Sequence, residues 1–252
     1  MKSYQEANAE IIDRWITEGW EWGIPVSHEE FLEALEGRWR MLLTPTKPVP
    51  VEWFGGSLKN RKVLGLASGG GQQMPIFAAL GAQCTVFDYS PKQLESERLV
   101  AQREGYSIRI IRGDMTQALP FADEEFDLIF HPVSNCYVQE VKPIFKECYR
   151  VLTSGGLLLS GLDNGVNFMF ADEETLTDLN TFPFDPLKYP EHYKILENED
   201  CGFQFSHTLE EQIGGQLEAG FRLTHLYEDT NESGPFFEHN IPCFWATRAV
   251  KD

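Results

Sequence analysis

The chain has 252 residues, enough to bury a self-supporting core in one or two domains without cross-links. Hydrophobic residues make up 42% and charged residues 24%, with 21 Gly and 14 Pro, which excludes a collagen-like or broadly disordered chain. The 39 Asp and Glu against 21 Lys and Arg leave a formal net charge of -18, which repels phosphate backbones and anionic lipid and argues against nucleic acid as a partner.

The start, MKSYQEANAEIIDRW, lacks the apolar region of a signal peptide. No stretch reaches the roughly 18 to 20 apolar residues of a spanning helix, so no membrane partner and a soluble, cytoplasmic location are expected. Five cysteines, odd in number and never spaced CxxC, point to a reducing compartment. The six histidines form no HExxH or other compact ligand spacing, so no metal is expected.

In chain order, residues 5–43 read helical, with Ile11, Ile12, Trp15 and Ile16 at helix spacing and Ser27 as an N-cap three residues before Glu30. The segment 44–57 holds three prolines and two glycines and reads as a linker. Residues 1–57 are thus expected to form a helical cap and linker ahead of a main domain over 58–252. There the pattern alternates. RKVLGLA, AQCTVFD, SIRIIRGD, EEFDLIFH and GGLLLSG read as strands, separated by helical runs such as PKQLESERLVAQRE. This implies an α/β fold with a mostly parallel sheet covered on both faces. Residues 162–206, rich in Phe and acids, read as an insertion covering the substrate, and the chain returns through a helix to a closing antiparallel hairpin within 221–250.

The strongest local signal is Val63 to Gln73, VLGLASGGGQQ, a strand that turns through Gly69, Gly70 and Gly71 into a helix. Glycines permit positive φ and close backbone approach, and the first helical turn presents unpaired N–H groups to a polar ligand. Met74 occupies the third small position of a dinucleotide fingerprint, and no GxxxxGK[ST] follows, which disfavours NAD and excludes a P-loop NTPase. Asp88 ends the second strand, where a carboxylate can accept both hydroxyls of a ribose, and Asp114 with Met115 ends the third, suited to an adenine amino group and ring. His131 ends the fourth strand near the place of reaction.

These residues resemble class I S-adenosylmethionine-dependent methyltransferases of the type 11 group. VLGLASGGG is similar to that family's VLDLGCGxG, with Gly65 in place of the usual acid and Ala67 in place of the first glycine; Asp88 corresponds to its ribose-binding acid, and YRVLTSGGLLL to its helix, Gly turn and fifth strand. The resemblance implies a Rossmann-like seven-stranded sheet ending in an antiparallel pair. It also implies S-adenosyl-L-methionine as cofactor, held by Ala67, Ser68, Gly69, Gly71, Gln72, Asp88, Tyr89, Gly113, Asp114, Met115 and His131. HPVS at 131–134 replaces the [DN]PP[YF] tetrad of amino-methyltransferases acting on adenine, so a small-molecule acceptor is expected. His131 is the candidate base, Asn135 and Tyr137 the candidates to orient the acceptor, and Trp39 with the Phe-rich 168–184 stretch a cover that excludes water. An NAD-dependent oxidoreductase and a non-enzymatic nucleoside sensor on the same fold are the rival readings.

Overall fold

The computed structural model describes residues 2–172 and 176–252. Helix α1 (Tyr4–Thr17) opens on a capping box in which Ser3 and Glu6 satisfy each other's backbone N–H groups, and α2 (His28–Leu35) opens on the same device from Ser27 and Glu30. A 3-10 turn at Glu21–Gly23 lies between them. The helical reading to residue 43 fails at Gly37, whose φ of 85° turns the chain out of α2.

Residues 44–57, expected as a linker, pack as a layer of the core instead. Val49, Trp53 and Phe54 are buried in one cluster with Met41, Leu43, Val63, Phe77 and Phe130. Prolines stop helix and ladder formation without opposing burial, and each such aromatic side chain contributes about 1.5–3 kcal/mol by leaving water.

From there the alternation holds: β1 (Lys62–Leu66), α3 (Met74–Ala79), β2 (Gln83–Asp88), α4 (Pro91–Glu104), β3 (Ile108–Arg112), β4 (Phe126–His131), α5 (Lys142–Val151) and β5 (Leu152–Asp163). A small hairpin of β6 (Phe170–Asp172) and β7 (Thr177–Leu179) follows, then α6 (Pro190–Glu199). The helix expected before the last hairpin begins as a π turn at Glu210–Gly214 and continues as the short α7 (Gly215–Ala219). Strand β8 (Phe221–Asp229), helix α8 (Gly234–Glu238) inside the turn-rich connection, and β9 (Phe244–Lys251) complete the chain.

The sheet has seven strands in the order β3-β2-β1-β4-β5-β9-β8. The first five run parallel, and β9 pairs antiparallel with both β5 and β8. One face packs on α3 and the N-terminal layer, the other on α5. Because β1 to β5 are parallel, their carboxyl ends share one edge, where ligands of open α/β sheets bind. Among the described residues no helix is long and apolar enough to cross a membrane.

Two buried contacts hold this edge together. A Cβ on Gly161 of β5 would lie 1.9 Å from Leu43 O, which accepts a hydrogen bond from Val133 N. Gly161→Ala is therefore expected to cost about 3 kcal/mol, read as a lower urea midpoint at unchanged m-value. The fully buried Glu97 of α4 accepts from Gly71 N at 2.8 Å, and burial pushes its carboxyl from 4.5 up to about 8. The folded state then keeps a proton that the unfolded chain has released, so stability falls as pH rises from 4.5 through 8. Glu97→Gln keeps the acceptor and removes the titration, so its thermal midpoint should fall less over that window than the wild-type midpoint; equal slopes would refute the assignment.

Candidate active site

The turn after β1 is built from backbone. Ala67 has a φ of 46°, a left-handed conformation that costs an L residue roughly 1–2 kcal/mol, and its N–H donates to Phe87 O on β2 at 2.8 Å. Gly69 N donates to Asp88 Oδ2 at 3.0 Å, and Ser90 N to Asp88 Oδ1 at 2.9 Å. These bonds fix the carboxylate while leaving lone pairs for a ligand; burial nonetheless raises its pKa above the ordinary range. Gly69 must be glycine, since a Cβ there would stand 2.6 Å from Gln93 Cβ and 3.0 Å from Asp88 Oδ2. The departures at Gly65 and Met74 are sterically linked: a Cβ at Gly65 would meet Met74 Sδ and Cε at 2.9 Å, so the methionine fills the space beside the bare backbone.

A cavity of about 490 Å³ opens over this turn. Ala67, Ser68, Gly69, Gln72, Asp88, Tyr89, Gly113, Asp114 and Met115 all line it. One oxygen of Asp114 accepts from both the Thr116 N–H at 2.8 Å and the Thr116 hydroxyl at 2.7 Å, which orients the carboxylate. Gly71 is not on the wall: its N–H goes to Glu97 and its carbonyl accepts from Val26 N at 2.9 Å. The residues that do line it match the polarity of S-adenosylmethionine: a constrained carboxylate for the ribose, an acid with an apolar neighbour for the adenine, and, since the Ala67, Gly69, Gly70 and Gly71 N–H groups are already engaged, backbone carbonyls of the turn for the ammonium of the amino-acid end.

The N-terminal segment forms the roof. Asp13 of α1 accepts from Ser90 Oγ at 2.5 Å and Lys92 N at 3.1 Å, capping α4 from another element. Gln72 Nε2 donates to Glu21 O at 3.0 Å and Ile24 O at 3.1 Å, so Trp15, Trp20 and Trp22 are carried over the crevice. The helical periodicity of residues 5–43 showed a cap but not these aromatic contacts.

The other half of the cavity lies over β4 and β5. His131 does not reach it. Its ring is fully buried beneath the edge, with Nδ1 2.9 Å from Leu66 O and Nε2 2.7 Å from Asn135 Oδ1. Burial lowers its pKa, and a neutral ring can donate to only one of these two oxygens at a time; enclosed between them, it offers no base to a substrate. Asn135 is equally buried, its Nδ2 donating to Gln212 Oε1 at 3.0 Å. Trp39 packs edge-on against Phe54, ring centroids 5.1 Å apart, away from the cavity wall. Tyr137 does line the cavity, and its hydroxyl has no hydrogen-bond partner among the described residues. Burial raises that phenol well above 10, so it stays protonated. Phe168, Phe170 and Phe184 of the expected cover line the cavity, Phe182 faces solvent, and residues 173–175 of that stretch lie outside the described residues.

Sequence reasoning missed Asp163. It ends β5 on the edge that also carries Asp88 and Asp114, and that position was the available signal. It is 5% exposed and lines the cavity, with Oδ1 accepting from Gly165 N at 2.6 Å and Oδ2 from Asn167 Nδ2 at 2.9 Å. Burial nonetheless pushes its carboxyl up to about 6. No Lys, Arg or His lines the cavity among the described residues.

The family model for the methyltransferase domain matches residues 64–160, from β1 into β5. An uncharacterized methyltransferase of Bacillus subtilis (strain 168), YbaJ, is 42% identical over 251 residues that cover 97% of each chain. An S-adenosylmethionine-dependent methyltransferase from Mesorhizobium loti superposes with a TM-score of 0.60 at 17% identity, covering 80% of this chain and 98% of that one. The [4+2]-cyclase SpnF superposes at 0.55 with 18% identity, covering 77% and 76%, so likeness of fold alone does not fix the reaction. Identity along nearly the whole sequence carries what the shared fold cannot: the chain belongs to the class I S-adenosylmethionine-dependent methyltransferases.

Proposed function

We propose that the chain methylates a small acceptor that is neutral or cationic and brings no free carboxylate or phosphate into the cavity. The observation that carries this reading is the wall itself, aromatic on several sides, with carboxylates at Asp88, Asp114, Asp163 and Glu199 and no cationic side chain among the described residues. The cofactor's own carboxylate is balanced by its ammonium and sulfonium, whereas a second anion from the acceptor would find no cationic side chain on the wall, and leaving it unpaired costs several kcal/mol. The net charge of -18 supports the exclusion of nucleic acid, and five free cysteines support a reducing, cytoplasmic setting.

S-adenosylmethionine supplies an electrophilic methyl group on a sulfonium. The chain's own contribution is binding, alignment and dryness. Asp88 receives the ribose hydroxyls, Asp114 the adenine amino group with Met115 against the ring, and the Ser68–Gly69 backbone the amino-acid end. The tryptophans of the roof and the phenylalanines after β5 exclude water, while Tyr137 faces the acceptor. Holding two reactants in line removes several kcal/mol from the barrier without a covalent intermediate.

Calorimetry tests the reading. S-adenosylhomocysteine should bind with micromolar affinity and NAD should not. Asp88→Ala should weaken the binding by about 30-fold, corresponding to the loss of about 2 kcal/mol of charge-assisted hydrogen bonding, with circular dichroism confirming the fold. Binding of NAD in place of S-adenosylhomocysteine would overturn the proposal.

A further inference from the structure

We infer that the methyl acceptor is an amine, and that Asp163 is the catalytic residue that binds its ammonium form and takes its proton. The inference rests on the methyltransferase reading above and assigns a role to a carboxylate that the cofactor does not need. The sheet order separates the two: Asp88 ends β2 and Asp114 follows β3 on one side of β1, whereas Asp163 ends β5 on the other side of β4. It is buried on the cavity wall, and its two hydrogen bonds, to Gly165 N and Asn167 Nδ2, leave lone pairs for an N–H donor.

Three features of its surroundings select an amine. A buried carboxylate on a cavity wall without Lys, Arg or His needs a positive partner from the ligand. Trp15, Trp20, Phe168 and Phe184 line the same cavity and give it aromatic walls, which suit a cation that carries an apolar body. Tyr137 contributes a protonated hydroxyl, unpartnered among the described residues, as a second contact for the nitrogen. A neutral hydroxyl acceptor would leave the Asp163 charge uncompensated.

The step balances. An ammonium N–H proton passes to the Asp163 carboxylate and frees the nitrogen lone pair. That pair forms the N–C bond to the methyl carbon as the S–C bond breaks, and the S–C electron pair stays on sulfur. The products are a methylated ammonium, the neutral thioether and a carboxylic acid that returns its proton to solvent. Asp163, raised by burial to about 6, is ionised at neutral pH yet basic enough to share the proton. Among the described residues the titratable group coupled to it is the Cys136 thiol, pushed up first by its own burial and then by this carboxylate, and so uncharged throughout.

The experiment compares phenethylamine and tryptamine with phenethyl alcohol and 3-phenylpropanoate on the wild-type protein, Asp163→Asn and Tyr137→Phe. Binding to the S-adenosylhomocysteine complex is followed by tryptophan fluorescence and calorimetry, and methyl transfer by radiolabel. The amines should bind and be methylated, and the acid should do neither. Asp163→Asn should keep its affinity for S-adenosylhomocysteine, which reports an intact fold, while losing at least about 100-fold in amine binding and in kcat/KM at neutral pH. The wild-type kcat/KM should reach a plateau between about 6 and about 9, because the ammonium form is the one bound; the variant should instead rise steadily toward the amine's own pKa. Tyr137→Phe should lower kcat more than amine affinity. If S-adenosylhomocysteine fails to bind the wild type, the methyltransferase reading fails. If it binds but neither amine does, or the alcohol is methylated instead, or Asp163→Asn binds amine unchanged, the amine assignment alone is overturned.

Discussion

The site depends on two carboxyl groups, the half-buried Asp88 and the fully buried Glu97, gripping one glycine turn. Gly69 N donates to Asp88 and Gly71 N to Glu97, so the loop after β1 is pinned to the end of β2 and to the middle of α4. Burial raises the pKa of both. At Asp88 three backbone N–H groups work against that rise, whereas Glu97 accepts only from Gly71 N, keeps one carboxyl oxygen without a partner and is pushed up to about 8. Glu97 is thus a mostly protonated strut at neutral pH, while Asp88 stands on the cavity wall. The glycines are required because Asp88, Gln93 and Val100 approach the backbone closer than a Cβ would allow: at Gly70 a Cβ would lie 2.6 Å from Gln93 Oε1, and at Gly71 2.9 Å from Val100 Cγ2.

That constraint also explains the N-terminal segment. A glycine turn held from below by α4 leaves its upper side open, and the chain closes it with its own first residues. Val26 N donates to Gly71 O, Gln72 holds two carbonyls of the 3-10 turn region, and Asp13 caps α4. Asn8 of α1 donates to Tyr137 O and Phe203 O and accepts from Phe203 N, so the same helix fixes the loop after β4 and the end of the insertion. One helix therefore spans both halves of the cavity. Its inner face is polar where it ties loops and aromatic where it walls the cavity, which is why its simple apolar stripe under-reported what it does.

Period and turn chemistry made the sheet legible. Strand-like runs bounded by glycine and proline located β1 to β5, and the short return through residues 221–250 marked the antiparallel pair. What the sequence concealed was burial that runs against local chemistry. The prolines before Trp53 suggested a linker, yet the aromatics that follow them sit in the core. His131 and Asp163 were exchanged in importance, because a histidine at a strand end invites a catalytic reading while an aspartate before an irregular stretch looks like a turn residue. Only the third dimension shows which of the two faces the cavity.

The buried histidine has a different task. Strands β1 and β4 are neighbours, and the His131 ring bridges from Leu66 O, one residue before the cofactor turn, to Asn135. Asn135 donates to Gln212, and Gln212 Nε2 donates to Asp163 O at 3.3 Å. All three of these polar side chains are fully buried, and Gln212 is presented by the π turn, whose extra residue aims it inward from the helix that precedes β8. A hydrogen-bonded path therefore joins the backbone at the floor of the cofactor half to the backbone of the carboxylate in the acceptor half. In-line transfer tolerates little error in the separation of its two reactants, and buried polar side chains held within hydrogen-bonding distance inside a close-packed layer restrict movement more than dispersion contacts alone. The chain places this network where slack between β1 and β5 would change the distance across which a methyl group must pass.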